Sequence, residues 1–286
     1  MSALRNLVEA ELGLPVDPRV TEMAEAIARK HGGASRAVLF YGSCLREAQL
    51  DGLMLDFYLI VSDYAAAYDK RWLARANAWI PPNVFPFEHH GLISKYAVLS
   101  EADFRRLNGP ETRNVSVWAR FAQPSRLVWV SDESARERAV DAVSRAAPTL
   151  LGAAMPFPEV GDELEPWRHA FALTYSVELR AERKGRAQSV VDTDPARYRA
   201  FLKPALALAP KNAAGGWWRR RLEGKLLSVV RLAKASATYA GGAEYIVWKI
   251  NRHAGTDIEL KPWQKRHPLL AAISLLPRLL RSGAIR

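Results

Sequence analysis

The sequence predicts an α/β domain, then a mostly helical domain, then a basic amphipathic C-terminal helix. Three observations predict this order. Residues 37–41 and 53–62 form two apolar runs with almost no alternation. A strand apolar on both sides is covered on both sides, as in an α/β layer. Beyond Asp132 such runs give way to long stretches with apolar residues at helical spacing. Residues 260–286 contain no acid, whereas Lys261, Lys265, Arg266, Arg278, Arg281 and Arg286 are basic. The expected divisions are 1–155, 156–255 and 256–286, with the first boundary at Pro156-Phe157-Pro158.

The elements follow in chain order. Residues 20–30 read as a helix, with Asp17 near its start and Gly32-Gly33 as its stop. The two apolar strands come next, and residues 65–80 read as one helix ended by Pro81-Pro82. Residues 92–99 are a third strand, and Ser100-Glu101-Ala102-Asp103 opens a short helix. Residues 115–122 and 126–130, on either side of Gln123-Pro124-Ser125, read as helix then strand or as two strands. Four helical patterns follow, at 134–151, 164–184, 197–208 (with a kink at Pro204) and 221–238.

At 286 residues, 49% hydrophobic and 25% charged, the chain has an ordinary globular composition. Its one cysteine, Cys44, excludes an internal disulfide framework and a cysteine zinc cluster. Standing just after Gly42-Ser43, Cys44 reads as a loop or helix-start residue in preference to a nucleophile, since no base is visible nearby. No stretch reaches the roughly 18–20 uninterrupted apolar residues of a spanning helix. The first nine residues, with an early acid at Glu9, do not read as a signal peptide. The expectation is a soluble or peripheral cytoplasmic protein. A net charge of +11 points to a polyanionic partner.

The chemistry concentrates in Val38-Leu39-Phe40-Tyr41-Gly42-Ser43 and Met54-Leu55-Asp56-Phe57-Tyr58. Gly42 and Ser43, at the end of a strand, leave backbone N–H groups open at the start of an expected helix, where a phosphate can sit. Asp56 is a lone carboxylate in an apolar strand, costly to bury unless an ion or a hydrogen-bond network compensates its lost hydration. Alone, it reads equally as a catalytic carboxylate or as a buried structural partner. At this strand–loop–strand spacing the pair reads as a phosphate cradle beside a metal-binding aspartate, the half-site of nucleotidyl transfer. Such sites usually carry a second acid two residues on, and here that position is Tyr58.

Tyr41-Gly42-Ser43, then Met54-Leu55-Asp56-Phe57 running into Ile60-Val61 and Asp63, resembles the mitochondrial translocator-maintenance family of phosphatidate cytidylyltransferases. In that family a hydrophobic residue also replaces the second acid. Trp72 with Asn77, His89-His90 before Lys95-Tyr96-Ala97-Val98, and Ala119-Arg120-Phe121-Ala122-Gln123-Pro124 fall in the family's order. So do Thr174-Tyr175-Ser176-Val177-Glu178-Leu179-Arg180 and Ala240-Gly241 with Tyr245 and Lys249. Leu73 stands where the family has histidine, and Gln123 where it has lysine. The resemblance implies a winged-helix-like second domain and a reaction of CTP with phosphatidate that gives CDP-diacylglycerol and pyrophosphate. It implies Gly42 and Ser43 on the triphosphate, Asp56 on Mg²⁺ with Glu178 as second acid, and Lys95, Arg120 and Arg180 toward phosphates.

Read without the family, Arg120 is equally a buried ion-pair partner or a triphosphate ligand. Glu178 and Arg180 point to different faces of a helix and do not pair with each other. His89 and His90 read as loop or core-edge residues, since no third ligand accompanies them. The apolar run Leu269-Leu270-Ala271-Ala272-Ile273-Ser274-Leu275-Leu276, with Trp263 and flanking basic residues, suits a helix lying in a membrane interface. Trp217-Trp218-Arg219-Arg220-Arg221 is a second patch of that type. The bland alternative for the tail is a helix docked on the core. The expected partners are CTP and phosphatidate in an anionic membrane, with the protein peripheral on its inner face. Nucleic acid fits less well, because the basic residues accompany aliphatic runs. Oligomeric state leaves no mark in the sequence.

Overall fold

The computed structural model describes residues 2–46, 50, 52–158, 162–177, 190–210, 215–238 and 261. Five strands, β1 (Ser35–Tyr41), β2 (Met54–Val61), β3 (Asn83–His89), β4 (Leu92–Ser100) and β5 (Ser125–Val130), form one sheet in the order β3-β4-β2-β1-β5. β2 and β4 run parallel, and the other three pairs are antiparallel.

The side chains of β2 alternate between two cores. Leu55, Phe57, Leu59 and Val61 pack with Val20, Met23 and Ile27 of α2 (Pro18–Lys30), whose N-cap is Asp17. Tyr58 and Ile60 face the opposite cluster, which holds Phe104, Trp118, Phe121, Trp167 and Phe171. Both faces are covered, as the unbroken apolar run predicted. Trp118 and Trp167 are fully buried, and each contributes about 4–6 kcal/mol of apolar burial at the usual area coefficient.

The second cluster is built by α1 (Ala3–Leu12), α5 (Glu101–Asn108), α6 (Trp118–Phe121), α7 (Glu133–Ser144), α8 (Ala146–Ala154), α9 (Glu165–Tyr175) and α10 (Pro195–Ala207). Helices on either side of Pro156 therefore share one core. Among the described residues beyond 155 every regular element is a helix, and α11 (Trp217–Thr238) is the longest. No helix of the described residues is long and apolar enough to cross a membrane.

Four local expectations are corrected. Residues 65–80 are two helices, α3 (Tyr64–Ala67) and α4 (Arg71–Trp79). Tyr68 between them is extended and turns its ring into the core. Residues 134–151 divide at Arg145 into α7 and α8. His89, read as a loop or core-edge residue, ends the edge strand β3, where Pro86 is tolerated because an edge position needs no second row of hydrogen bonds. Its hairpin turns at His90 and Gly91, both at positive φ, the geometry of a two-residue primed turn. After Gly42 comes a single 3₁₀ turn, Ser43–Arg46, in place of a helix. The interfacial tail and the Ala240-Gly241…Lys249 resemblance lie outside the described residues.

Candidate active site

The sheet brings the sequence-predicted residues together by register. Antiparallel pairing sets Tyr41 opposite Asp56, and parallel pairing sets Asp56 beside Lys95. Side chains two apart on a strand share a face, so Asp56 shares one with Tyr58, and Lys95 with Ala97. Lys95 Nζ lies 2.8 Å from Asp56 Oδ1, with the two side chains 24% and 21% exposed. The contact is one of charge, since no aligned hydrogen bond reaches that buried oxygen. Asp56 is thus compensated by a cation, which answers the cost of placing a carboxylate in an apolar strand.

Gly42 closes the site from the end of β1. Its φ is +97°, and a Cβ there would stand 3.1 Å from Asp56 Oδ2. Glycine is required both for the turn and for the approach to the carboxylate. Ser43 is exposed on the 3₁₀ turn. Four residues of 3₁₀ helix do not make the helix N-terminus expected to cradle a phosphate. Cys44, on the same 3₁₀ turn, is buried, with Sγ directed at the Met54 carbonyl oxygen 3.4 Å away.

Arg120 reaches the site from α6. Its Nη1 donates to Tyr58 Oη at 3.1 Å and to the Ser116 carbonyl oxygen at 2.7 Å. The guanidinium centre stands 5.3 Å from the ring centroid of Tyr41 and 5.9 Å from that of Tyr58. At the place of an expected second acid, Tyr58 therefore holds a cation by its hydroxyl and by its ring. A carboxylate there would neutralise Arg120, and the neutral phenol does not.

Two further cations come from α11 and had no sequence signal of their own. Arg231 donates from Nε and Nη2 to the Pro81 carbonyl oxygen at 3.0 and 2.6 Å, and from Nη1 to Ser116 Oγ at 2.8 Å. Lys234 Nζ donates to the Pro82 carbonyl oxygen at 2.8 Å and to that of Ile80. Burial, and after it the charge of Arg231, pushes the Lys234 amine down to about 7. The spacing of Arg231 and Lys234 puts them on one helix face, but the carbonyls that hold them come from residues about 150 positions earlier. Neither spacing nor composition announces such a pairing.

Lys95, Arg120, Arg231 and Lys234 line a cavity of about 190 Å³, with Tyr41, Tyr58 and Ser116 supplying hydroxyls and Val84 and Ala97 an apolar floor. Four cations around one small cavity form a site for a multiply charged anion. Asp56 is held at its edge through Lys95. Among the described residues no three His, Cys, Asp or Glu side chains cluster to hold an ion. The donor set does not make a protein-built metal cage. It does fit a Mg²⁺ that arrives on phosphate oxygens, because such an ion keeps several non-protein ligands and takes one or two carboxylates. Glu178 and Arg180, expected as second acid and phosphate contact, lie outside the described residues.

No family model matches the chain, and no curated protein matches it. Among solved structures it is similar to a nucleotidyltransferase-like protein from Exiguobacterium sibiricum 255-15. The two are 10% identical over 92% of this chain and 77% of that one, with a TM-score of 0.28. A likeness of that TM-score carries neither fold nor function to this chain.

Proposed function

We propose that the chain is a nucleotidyltransferase whose donor is a nucleoside triphosphate bound in the four-cation cavity. The observation that carries this reading is the placement of Lys95, Arg120, Arg231 and Lys234 around one cavity with Asp56 at its edge. The finer reading is CTP as donor and phosphatidate as acceptor, at the inner face of a membrane. It is supported by the Tyr41-Gly42-Ser43 and Met54-Leu55-Asp56-Phe57 resemblance and by the acid-free basic segment 260–286.

In this reaction an oxygen of the acceptor phosphate attacks the α-phosphorus, the bond to the β-phosphate bridging oxygen breaks, and pyrophosphate leaves. The four cations neutralise the triphosphate and the charge that builds on the leaving pyrophosphate. Tyr58 fixes the fork of Arg120, and the carbonyls of Pro81 and Pro82 fix Arg231 and Lys234, so these charges need little reorganisation. Lys95 leaves Asp56 for the phosphates, which frees the carboxylate. Asp56 would then hold Mg²⁺, which supplies charge neutralisation at the α-phosphate. A phosphate-monoester acceptor is already ionised at neutral pH, so the site needs no strong general base.

The test is incubation of the purified chain with Mg²⁺, phosphatidate vesicles and each of the four nucleoside triphosphates. The expected result is lipid-linked CMP and pyrophosphate from CTP, lost in Asp56→Asn. Transfer to water-soluble acceptors alone would keep the nucleotidyltransferase and remove the lipid acceptor. A second reading, a non-catalytic anion-binding relative, is favoured by the Asp56–Lys95 pair, which occupies the carboxylate at the cavity's edge. Triphosphate binding without pyrophosphate release under any acceptor would establish that reading instead.

A further inference from the structure

The linear patch Trp217-Trp218-Arg219-Arg220-Arg221 does not survive folding as a single face. Trp217 Nε1 donates to the Ala153 carbonyl oxygen at 3.1 Å, and Arg220 is buried, donating to the Arg113 carbonyl oxygen at 3.0 Å. What α11 turns outward is a different set. Trp218, Leu222 and Leu226 are each 65% exposed. Spaced four apart, they fall within about 80° of one another around the helix axis. Exposed Lys225 and Arg221 border this stripe on one side, and exposed Arg219 on the other, its guanidinium 5.1 Å from the Trp218 ring centroid. Glu223 is the single acid of the helix, and it pairs with Arg113 at 2.9 Å.

We infer that this outer face of α11 is a docking surface for an anionic lipid bilayer. Water-exposed leucines beside a tryptophan are unfavourable unless something covers them, and cations along both borders select a negatively charged cover. A second copy of the chain is the poorer occupant, because pairing two such stripes brings cationic borders together. A nucleic acid has no use for the two leucines at the centre. The opposite side of the same helix carries Arg231 and Lys234 into the anion cavity. A bilayer lying on the outer face would stand about one helix diameter, roughly 10 Å, from that cavity wall. Docking follows from the helix face alone and does not depend on phosphatidate being the acceptor.

The test uses the full chain and co-sedimentation with phosphatidylcholine vesicles, with and without phosphatidylglycerol. The expected result is binding that requires phosphatidylglycerol and weakens with salt. The double variant Leu222→Glu/Leu226→Glu loses at least about tenfold in partitioning, and the milder Leu222→Gln/Leu226→Gln loses part of it. Arg219→Gln/Arg221→Gln/Lys225→Gln loses the preference for phosphatidylglycerol. Leu14→Glu, at an exposed leucine between α1 and α2, binds as the parent does. Three results would overturn the inference. They are a parent chain that stays in the supernatant, glutamate variants that pellet as well as the parent, and a parent that is dimeric in solution while the variants are monomeric. The melting temperature with CTP, followed in parallel, reports on the cavity. Failure of docking and failure of the proposed reaction are therefore read separately.

Discussion

Asp56 and Gly42 are tied to each other, and their substitution should separate chemistry from folding. Asp56→Asn keeps the shape and removes the charge that Lys95 pairs with at 2.8 Å. Nucleotidyl transfer should fall by at least about 100-fold while triphosphate binding is kept or tightened, because a carboxylate that competes for Lys95 is gone. Steady-state kinetics beside a thermal-shift titration checks this. Gly42→Ala meets both a positive φ and a contact of 3.1 Å with Asp56 Oδ2. It should cost about 1–3 kcal/mol of stability, read from denaturant midpoints. Lys234 adds a pH signature. Its amine is held at about 7, so between there and the ordinary 10.5 the unfolded chain carries a proton that the folded chain lacks. Stability should therefore rise with pH across that window and level off below it, where both states carry the proton. The groups facing it are Arg231 on its own helix and Lys95 and Arg120 across the cavity, all cations. An incoming triphosphate reverses the balance and favours the charged amine. Binding near pH 8 should take up about one proton, seen by calorimetry in buffers of different ionisation enthalpy. Lys234→Met should abolish the uptake.

At the scale of elements, α11 is the piece outside the sheet on which the site depends, since it carries Arg231 and Lys234. It is seated at Gly224, where a Cβ would overlap Val177 Cγ1 and come 2.9 Å from the Val177 carbonyl oxygen. Gly224→Ala must lift the helix, and with it Arg231 and Lys234. Triphosphate affinity should weaken roughly tenfold, although no cavity residue has changed, while Asp56, Lys95 and Arg120 keep their places; calorimetric titration checks this. The elements that were legible in the sequence are those whose signal is local. β2 was legible because Leu55, Phe57, Leu59 and Val61 and, Asp56 apart, their alternates are apolar or aromatic, as a strand with two buried faces must be. β3 was not, because Pro81-Pro82, Pro86 and His89-His90 are turn chemistry by composition, and only pairing with β4 makes the segment a strand. Gly42, Asp56, Lys95 and Arg120 were legible as a set through strand ends and family resemblance. Arg231 and Lys234 were not, since their partners are backbone carbonyls that carry no side-chain signature.

For the whole molecule the open energetic question is whether the chain unfolds as one body. The sequence divides near Pro156, yet the cluster that holds Leu39, Tyr58 and Trp118 continues without a break to Trp167, Phe171, Tyr198 and Phe201. Among the described residues two ion pairs span the division, the exposed Arg113–Glu223 and the buried Arg197–Glu11. Arg197 of α10, its side chain 6% exposed, donates from Nη2 to Glu11 of α1 at 3.0 Å and from Nη1 to the Ala122 carbonyl oxygen at 3.0 Å. Removing one partner of a buried pair leaves a desolvated charge and costs about 3–5 kcal/mol, whereas replacing both by apolar groups costs much less. Arg197→Met should therefore lower the melting temperature by roughly 10 °C, and Glu11→Gln together with Arg197→Met should recover part of the loss. A shared core makes a second expectation sharper than the first. Tryptophan fluorescence, weighted to both sides of Pro156, and far-ultraviolet circular dichroism should report one coincident transition in the parent and in both variants. Two separated transitions, with only one moved by Arg197→Met, would mean that the division near Pro156 is energetic as well as sequential. The sheet would then hold its carboxylate folded while the helical part, with Arg231 and Lys234, came away.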